Sequence, residues 1–249
     1  MASKRILLNC DLGEGLGPWR MGNDAEIMPF IDCANIACGF HAGDPLIMQK
    51  TVAMAAKHKV RVGAHPAYPD LLGFGRRSMA LSPAEVEATV LYQIAALDGF
   101  CRAENSKIAY VKPHGALYHD MLQNDATFKA ILRAVQAFDS SLPLVILAQE
   151  NVEHWQALAA KFGVKLWFEA FADRAYTDSG ALVPRSEPGA VIHDATAMLS
   201  QALQLARSGS VTSLAGKVIQ LDVDTLCVHG DTPEALAAVQ AIRASKEFS

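Results

Sequence analysis

The sequence predicts an α/β protein built on a closed parallel (β/α) barrel of TIM-like type, and three observations predict it. Short apolar runs alternate with longer stretches of helical apolar spacing along the whole chain. Seven such units fit into 249 residues, the size of a closed barrel, whereas a doubly wound open sheet has fewer strands per domain. Polar and ionisable residues collect just past the apolar runs, where a parallel barrel puts its working groups. The count by itself does not separate seven strands from eight.

The first strand is read at 5–12 (RILLNCDL) and runs into GEGLGPW, whose Gly13, Gly15 and Gly17 let the chain turn behind Asp11 and Glu14. Their G-x-G-x-G spacing ends in Pro18-Trp19 and lacks the G-x-G-x-x-G helix entry of a dinucleotide site. The second strand is read at 36–40 (IACGF), with a helix at 45–59 capped by Asp44 ahead of Pro45. The third, at 60–65 (VRVGAH), leads through a long loop with Arg76 and Arg77 to a helix starting at Ser82, with Glu85 in its first turn. The fourth, at 108–114 (IAYVKPH), carries Lys112 and His114 two apart and therefore facing one way. Gly115 is read as a turn, and the next helix at 126–138. Strands at 143–148 (PLVILA) and 164–171 (VKLWFEAF) precede helices at 151–163 and 195–209. The seventh run, 218–228 (VIQLDVDTLCV), leads to a helix at 232–244 capped by Asp231. No linker or composition shift divides the chain, so residues 1–249 are read as a single domain.

A net charge of −4 and a pI near 6.0 give no reason to expect nucleic acid or an anionic membrane as partner. No apolar stretch approaches the roughly 20 residues of a membrane span, and MASKRILLNCD lacks the pattern of a signal peptide. Five scattered cysteines without a C-x-x-C pair fit a reducing compartment, so a cytoplasmic location is expected. Gly216-Lys217 is followed by Val218, which is no Walker A loop.

His41, His65, His114 and His229 each stand at or just past a strand end, whereas His58, His119, His154 and His193 fall on helices or their starts, where a surface role is expected. Strand ends of a parallel barrel converge on one mouth, so four imidazoles there point to chemistry. Asp11, Glu14, Asp70, Lys112, Glu169, Asp173 and Arg174 keep the same company. An Asp with several His from separate strands suits Zn²⁺, Mn²⁺ or Fe²⁺, and the set read here is Asp11, His41 and His65. No local His pair supports it.

The blocks LNCDLGEG, ANIACGFHAGD, GAHPAYPD with GFGRR, VKPHGALY, FADRAY with LVPRSEPGAVI, and CVHGD closely resemble the family of A-type subunits of bacterial 5-oxoprolinase, formerly called lactam-utilisation proteins. The resemblance implies an irregular seven-stranded barrel related to glycoside hydrolase and carbohydrate deacetylase barrels. It implies ATP-dependent opening of 5-oxo-L-proline to L-glutamate with two partner subunits, ATP being bound mainly by those partners. An unactivated lactam opens unfavourably; phosphorylating its oxygen gives an imidate phosphate, which needs a base for water, donors for the oxyanion and an acid for nitrogen. Asp11 or His65 is then the base, Lys112 the charge stabiliser and His114 or His229 the acid. Glu14, Asn35, Arg76, Arg77, Glu169 and Arg174 are the expected substrate-binding residues, the arginines facing phosphate. Met in place of Lys112 is expected to leave folding intact. Leu7 stands where relatives often carry an acid, and Cys33 where Ser is common. Two rivals are a stand-alone metal-dependent amidohydrolase or deacetylase and a non-catalytic scaffold protein within the complex. The oligomeric state is left open, a homo-oligomer included.

Overall fold

The computed structural model describes residues 5–229 and 233–248. In chain order its strands are β1 (Leu7–Leu12), β2 (Cys33–Ala37), β3 (Arg61–His65), β4 (Ile108–Val111), β5 (Leu144–Leu147), β6 (Leu166–Phe171), β7 (Ser210–Thr212), β8 (Val218–Gln220) and β9 (Thr225–Cys227). Six pair in sequence order, and β9 slots between β6 and β1 to close a seven-stranded parallel barrel. β7 and β8 form a separate antiparallel pair. The ring is irregular: β4 and β5 share one register pair, Val111 with Leu144, and the β3–β4 register shifts at Val62/Gly63.

Around the barrel run α1 (Asp24–Ile27), α2 (Pro45–His58), α3 (Pro83–Ala103), α4 (Gly115–Gln123), α5 (Asp125–Asp139), α6 (Glu153–Ala160), α7 (Ala195–Ser208) and α8 (Pro233–Ala244). Their starts follow the sequence signals. The Asp44 carboxylate accepts from the amides of Leu46 and Ile47, and Ser82 with Glu85 closes a reciprocal capping box. The expected Asp231 cap of α8 lies outside the described residues. Among the described residues, no helix is long and apolar enough to cross a membrane.

Three expectations are corrected. The second strand starts at Cys33, three residues before the apolar run that marked it, because the polar Asn35 points into the barrel. The run at 218–228 is two strands, since β8 turns back on β7. Asp224 then seats β9: its carboxylate accepts from the Phe168 amide and its carbonyl from the Leu7 amide. Finally, Gly115, read as a turn, is the first residue of α4 at φ +57°, a helix for which the sequence gave no bounds although His119 was expected on one.

Period-2 alternation stacks the inward side chains in layers. The bottom layer is apolar, with Cys33, Tyr110 and Val145 packed against Leu7, Ala109 and Trp167. Leu7 and Cys33, the two departures from the family pattern, thus belong to one apolar cluster beneath the polar layers. Above it Asn9, Asn35, Glu169 and Thr225 are joined by hydrogen bonds, and Asp11, His65 and Lys112 lie at the top. Tyr110 fits only because Gly63 faces it: a Cβ there would lie 2.1 Å from the ring. Gly63→Ala is therefore expected to lower stability by about 1–3 kcal/mol through overpacking. The urea midpoint measures this, and an unchanged midpoint would mean that Tyr110 does not fill that space.

Candidate active site

Lys112, just past β4, sits at the centre of the mouth. Its Nζ is 3.0 Å from Asp11 Oδ1, 2.9 Å from Glu169 Oε1, 3.3 Å from Asn9 Oδ1 and 3.2 Å from Cys227 Sγ. Burial pushes the ammonium down, but the facing Asp11, Cys227 and Glu169 outweigh it and hold Lys112 well above the usual lysine value. Asp11 Oδ1 also accepts from Asn35 Nδ2 at 2.7 Å, and Asn35 is fixed by the Tyr110 hydroxyl at 2.6 Å. Burial would raise the Asp11 carboxyl; His65, Lys112 and His229 around it win and keep it well below the carboxylate range. Asp11 is therefore ionised, with one oxygen fixed and Oδ2 facing His65 at 3.3 Å and His229 at 3.7 Å.

Three imidazoles pack beside it. His65, ending β3, donates from Nδ1 to the Lys112 carbonyl at 2.7 Å; His114 donates from Nε2 to the Phe74 carbonyl at 2.9 Å. Their other nitrogens, His65 Nε2 and His114 Nδ1, are 3.0 Å apart. His41 stacks on His114 with centroids 3.7 Å apart, and its Nε2 is 3.1 Å from Glu14 Oε1. The turn at Gly75 makes this packing: at φ +65° a Cβ would lie 2.8 Å from His41 Cβ and 2.9 Å from His114 Cδ2. Burial, with His65 alongside, holds both His41 and His114 well below the usual histidine value.

On the opposite wall His229 follows β9, and its Nδ1 is 2.6 Å from Asp173 Oδ2. Burial lowers this imidazole, yet the Asp173 carboxylate more than compensates and raises it above the ordinary value. Asp173 is correspondingly lowered by His229 despite its burial. The other nitrogen, Nε2, meets Arg185 at 3.3 Å.

These groups share a cavity of about 420 Å³, within the range of small-molecule sites, lined among others by Asp11, His65, Lys112, His114 and His229. A second cavity of about 310 Å³ adds Glu14 and shares Asp11, Arg76, His114 and His229. All five residues expected to be catalytic thus come together, as do Glu14, Arg76 and Arg174.

Others expected to touch substrate are placed differently. Asn35 and Glu169 are wholly buried: Asn35 holds Asp11, and Glu169 takes Asn9, Lys112 and the Tyr118 hydroxyl. Arg77 is committed to Asp70, and Arg76 lines the cavity instead. Arg174 donates to the carbonyls of Val183 and Ala190, so it also fastens the loop that carries Arg185. Arg185 and His119 line the cavity and were not singled out from the sequence. His119 gave no signal beyond its place on a helix, and Arg185 lies in an aperiodic loop. The opening glycines do not cradle a phosphate: the amides of Gly13 and Gly17 donate to Asp24 and Asp44, each at 2.8 Å.

Metal-ligand atoms converge in a different grouping from the one read in the sequence. Glu14, His41, His65 and His114 have donor atoms within 4.8 Å of one another, while Asp11 groups with Cys227 and His229.

The sequence and the fold have counterparts among known proteins. The family described as LamB/YcsF matches residues 6–248. A protein from Chromohalobacter salexigens, named as the A-type subunit of 5-oxoprolinase, is 60% identical over 237 residues, 95% of each chain. One of the same name from Pseudomonas fluorescens is 57% identical over 239 residues, 96% of each. The crystal structure of a lactam utilization protein from Thermus thermophilus superposes with a TM-score of 0.89 at 46% identity, covering 96% of this chain and 94% of that one. A putative cellobiose-phosphate cleavage protein from Enterococcus faecalis, at 12% identity and a TM-score of 0.57, covering 99% of this chain and 93% of that one, shares the fold alone. With a family match spanning nearly all its length and relatives this similar, the chain belongs to the LamB/YcsF family.

Proposed function

We infer that this chain is the lactam-opening component of a 5-oxoprolinase, acting with two partner subunits that bind most of the ATP. The names of relatives at 57–60% identity support the substrate and the multi-subunit setting. The observation that carries the chemistry is the Asp173–His229 pair facing Asp11 and Lys112 across one cavity.

The steps balance with this chain's residues. ATP phosphorylates the lactam oxygen of 5-oxo-L-proline, the ring nitrogen losing its proton and ADP leaving. The ionised Asp11 orients water through Oδ2 and takes its proton as the oxygen adds to the ring carbon. Lys112 opposes the negative charge that gathers there, already held in place by Asp11 and Glu169. The proton that Asp11 took passes to the ring nitrogen, and His229, whose proton affinity Asp173 raises, delivers the second as the C–N bond breaks and recovers one from the added hydroxyl, which becomes the acyl carbonyl. The acyl phosphate left behind takes a second water and releases phosphate and L-glutamate. Arg76, Arg185 and His119 on the cavity wall supply charge and donors for the substrate carboxylate and the phosphoryl group. His114 fits the acid role less well, because its surroundings keep it neutral.

Glutamate formation from 5-oxoproline is the test, run with the chain alone, with ATP, and with ATP plus the partner subunits. Turnover is expected only in the last. Turnover by the chain alone without ATP would replace this function with a stand-alone amidohydrolase.

A further inference from the structure

The protons of the buried histidines can be counted, and the count leaves a cation missing. His65 Nδ1 and His114 Nε2 each face a backbone carbonyl, which only accepts, so each of these nitrogens carries its ring proton. With both rings neutral, the two remaining nitrogens face each other at 3.0 Å with one lone pair apiece. Lone pairs at that distance repel unless a positive charge lies between them. Asp11 Oδ2, 3.3 Å from His65 Nε2, brings a carboxylate to the same gap and adds to the demand for positive charge there.

A metal ion fits the same gap. The two rings stand at 85° with centroids 4.8 Å apart, so one ion can lie in the plane of each, as imidazole ligation requires. Glu14 Oε1 is 3.6 Å from His114 Nδ1. These separations of 3.0 and 3.6 Å bracket the ~3.3 Å between ligand atoms of a tetrahedral site with Zn–N near 2.0–2.1 Å. His41 is not a fourth ligand. Its ring is parallel to His114, 7° apart in tilt and 3.7 Å away, so an ion in the plane of one is out of the plane of the other. It holds Glu14 from outside at 3.1 Å. Carbonyls on the far nitrogens of His65 and His114 and an imidazole on the carboxylate are the outer supports that metal ligands need.

We propose that Glu14 Oε1, His65 Nε2 and His114 Nδ1 bind one divalent ion of the Zn²⁺ class beside the reaction cavity. Two imidazoles and one carboxylate favour Zn²⁺, Fe²⁺ or Co²⁺ over Mg²⁺ or Ca²⁺. When bound, such an ion supplies a Lewis acid to groups entering the cavity. The site belongs to this chain and is tested without partners, ATP or turnover, so its failure would leave the lactam-opening function standing.

The experiment titrates chelator-treated full-length chain with Co²⁺ and follows its ligand-field absorption, with Zn²⁺ and Mg²⁺ as competitors. One Co²⁺ per chain is expected, displaced by Zn²⁺ and not by Mg²⁺. His114→Gln and Glu14→Gln should each weaken it by more than the roughly 10–100-fold typical of losing an outer support. No uptake by the wild-type chain, or equal affinity in both variants, would overturn the site and leave a shared proton between His65 and His114. Should the variants not fold, the wild-type Tm decides: it should rise with Zn²⁺ concentration, and a Tm that ignores Zn²⁺ also overturns the proposal.

Discussion

Replacing Lys112 with Met is expected to lower the stability of the chain by about 3–5 kcal/mol, because it strips the cation from two buried carboxylates. Spacing along the fourth strand gave no warning of this, since Met matches the lysine stem. The structure shows why the match is not enough. Lys112 is 3% exposed and lies within 3.0 Å of both Asp11 and Glu169, and Glu169 is itself 0% exposed. Burial already raises the Glu169 carboxyl even with Lys112 beside it, so losing the ammonium drives it to protonate or the site to open. The double variant Lys112→Met with Glu169→Gln should recover part of the loss, and urea unfolding of the set measures the coupling. In the assembled enzyme the rate of glutamate formation should fall ~100-fold or more with this preorganised donor gone. A single variant as stable as the wild type would show that the buried carboxylates do not depend on Lys112, and one keeping over about half its activity would remove Lys112 from the mechanism.

His229→Gln is expected to cost roughly 10²–10⁴ in rate, the usual contribution of a positioned general acid, with little change in fold. The side chain is 19% exposed and its shortest contact is with Asp173, to which the Gln amide can still donate. The same pair predicts the pH dependence. His229 must be protonated to act, so kcat/KM should fall as pH rises through its raised pKa. Asp173→Asn removes the charge that raises it, and the alkaline limb should move to lower pH while the histidine remains. For stability the signs run in opposite directions. The His229 contribution is full below its unfolded pKa and is lost as pH rises through the folded one. The Asp173 contribution is present above its unfolded pKa and is lost as pH falls through its lowered folded value. The pair thus stabilises between the two folded pKa values. An alkaline limb unmoved by Asp173→Asn would detach Asp173 from the acid, and a full rate in His229→Gln would remove His229 from the mechanism.

Much of this site was legible because strand ends are local features. His65, Lys112, His114 and His229 follow apolar runs, and period-2 spacing points Lys112 and His114 the same way. The depth of a residue in the barrel is not local. Asn35 and Glu169 looked like mouth residues, yet closure of the ring puts them in the layer beneath, where they orient Asp11 and Lys112. Arg77 looked equivalent to Arg76 until Asp70 took it. The seventh strand was hidden inside a longer apolar run, because pairing of β8 with β7 depends on residues outside that run.

The sequence by itself determined the alternation of strands and helices, the helix caps at Asp44 and Ser82, and the strand-end placement of His65, Lys112, His114 and His229. Each depends on periodicity or on chemistry within a few residues. The tertiary structure alone decided which of those side chains meet. Asn9 reaches Glu169 across 160 residues of chain, and Lys112 reaches Cys227 across 115. Such meetings are set by strand order, register and closure, and these depend on packing of the whole ring, which no window of the sequence contains.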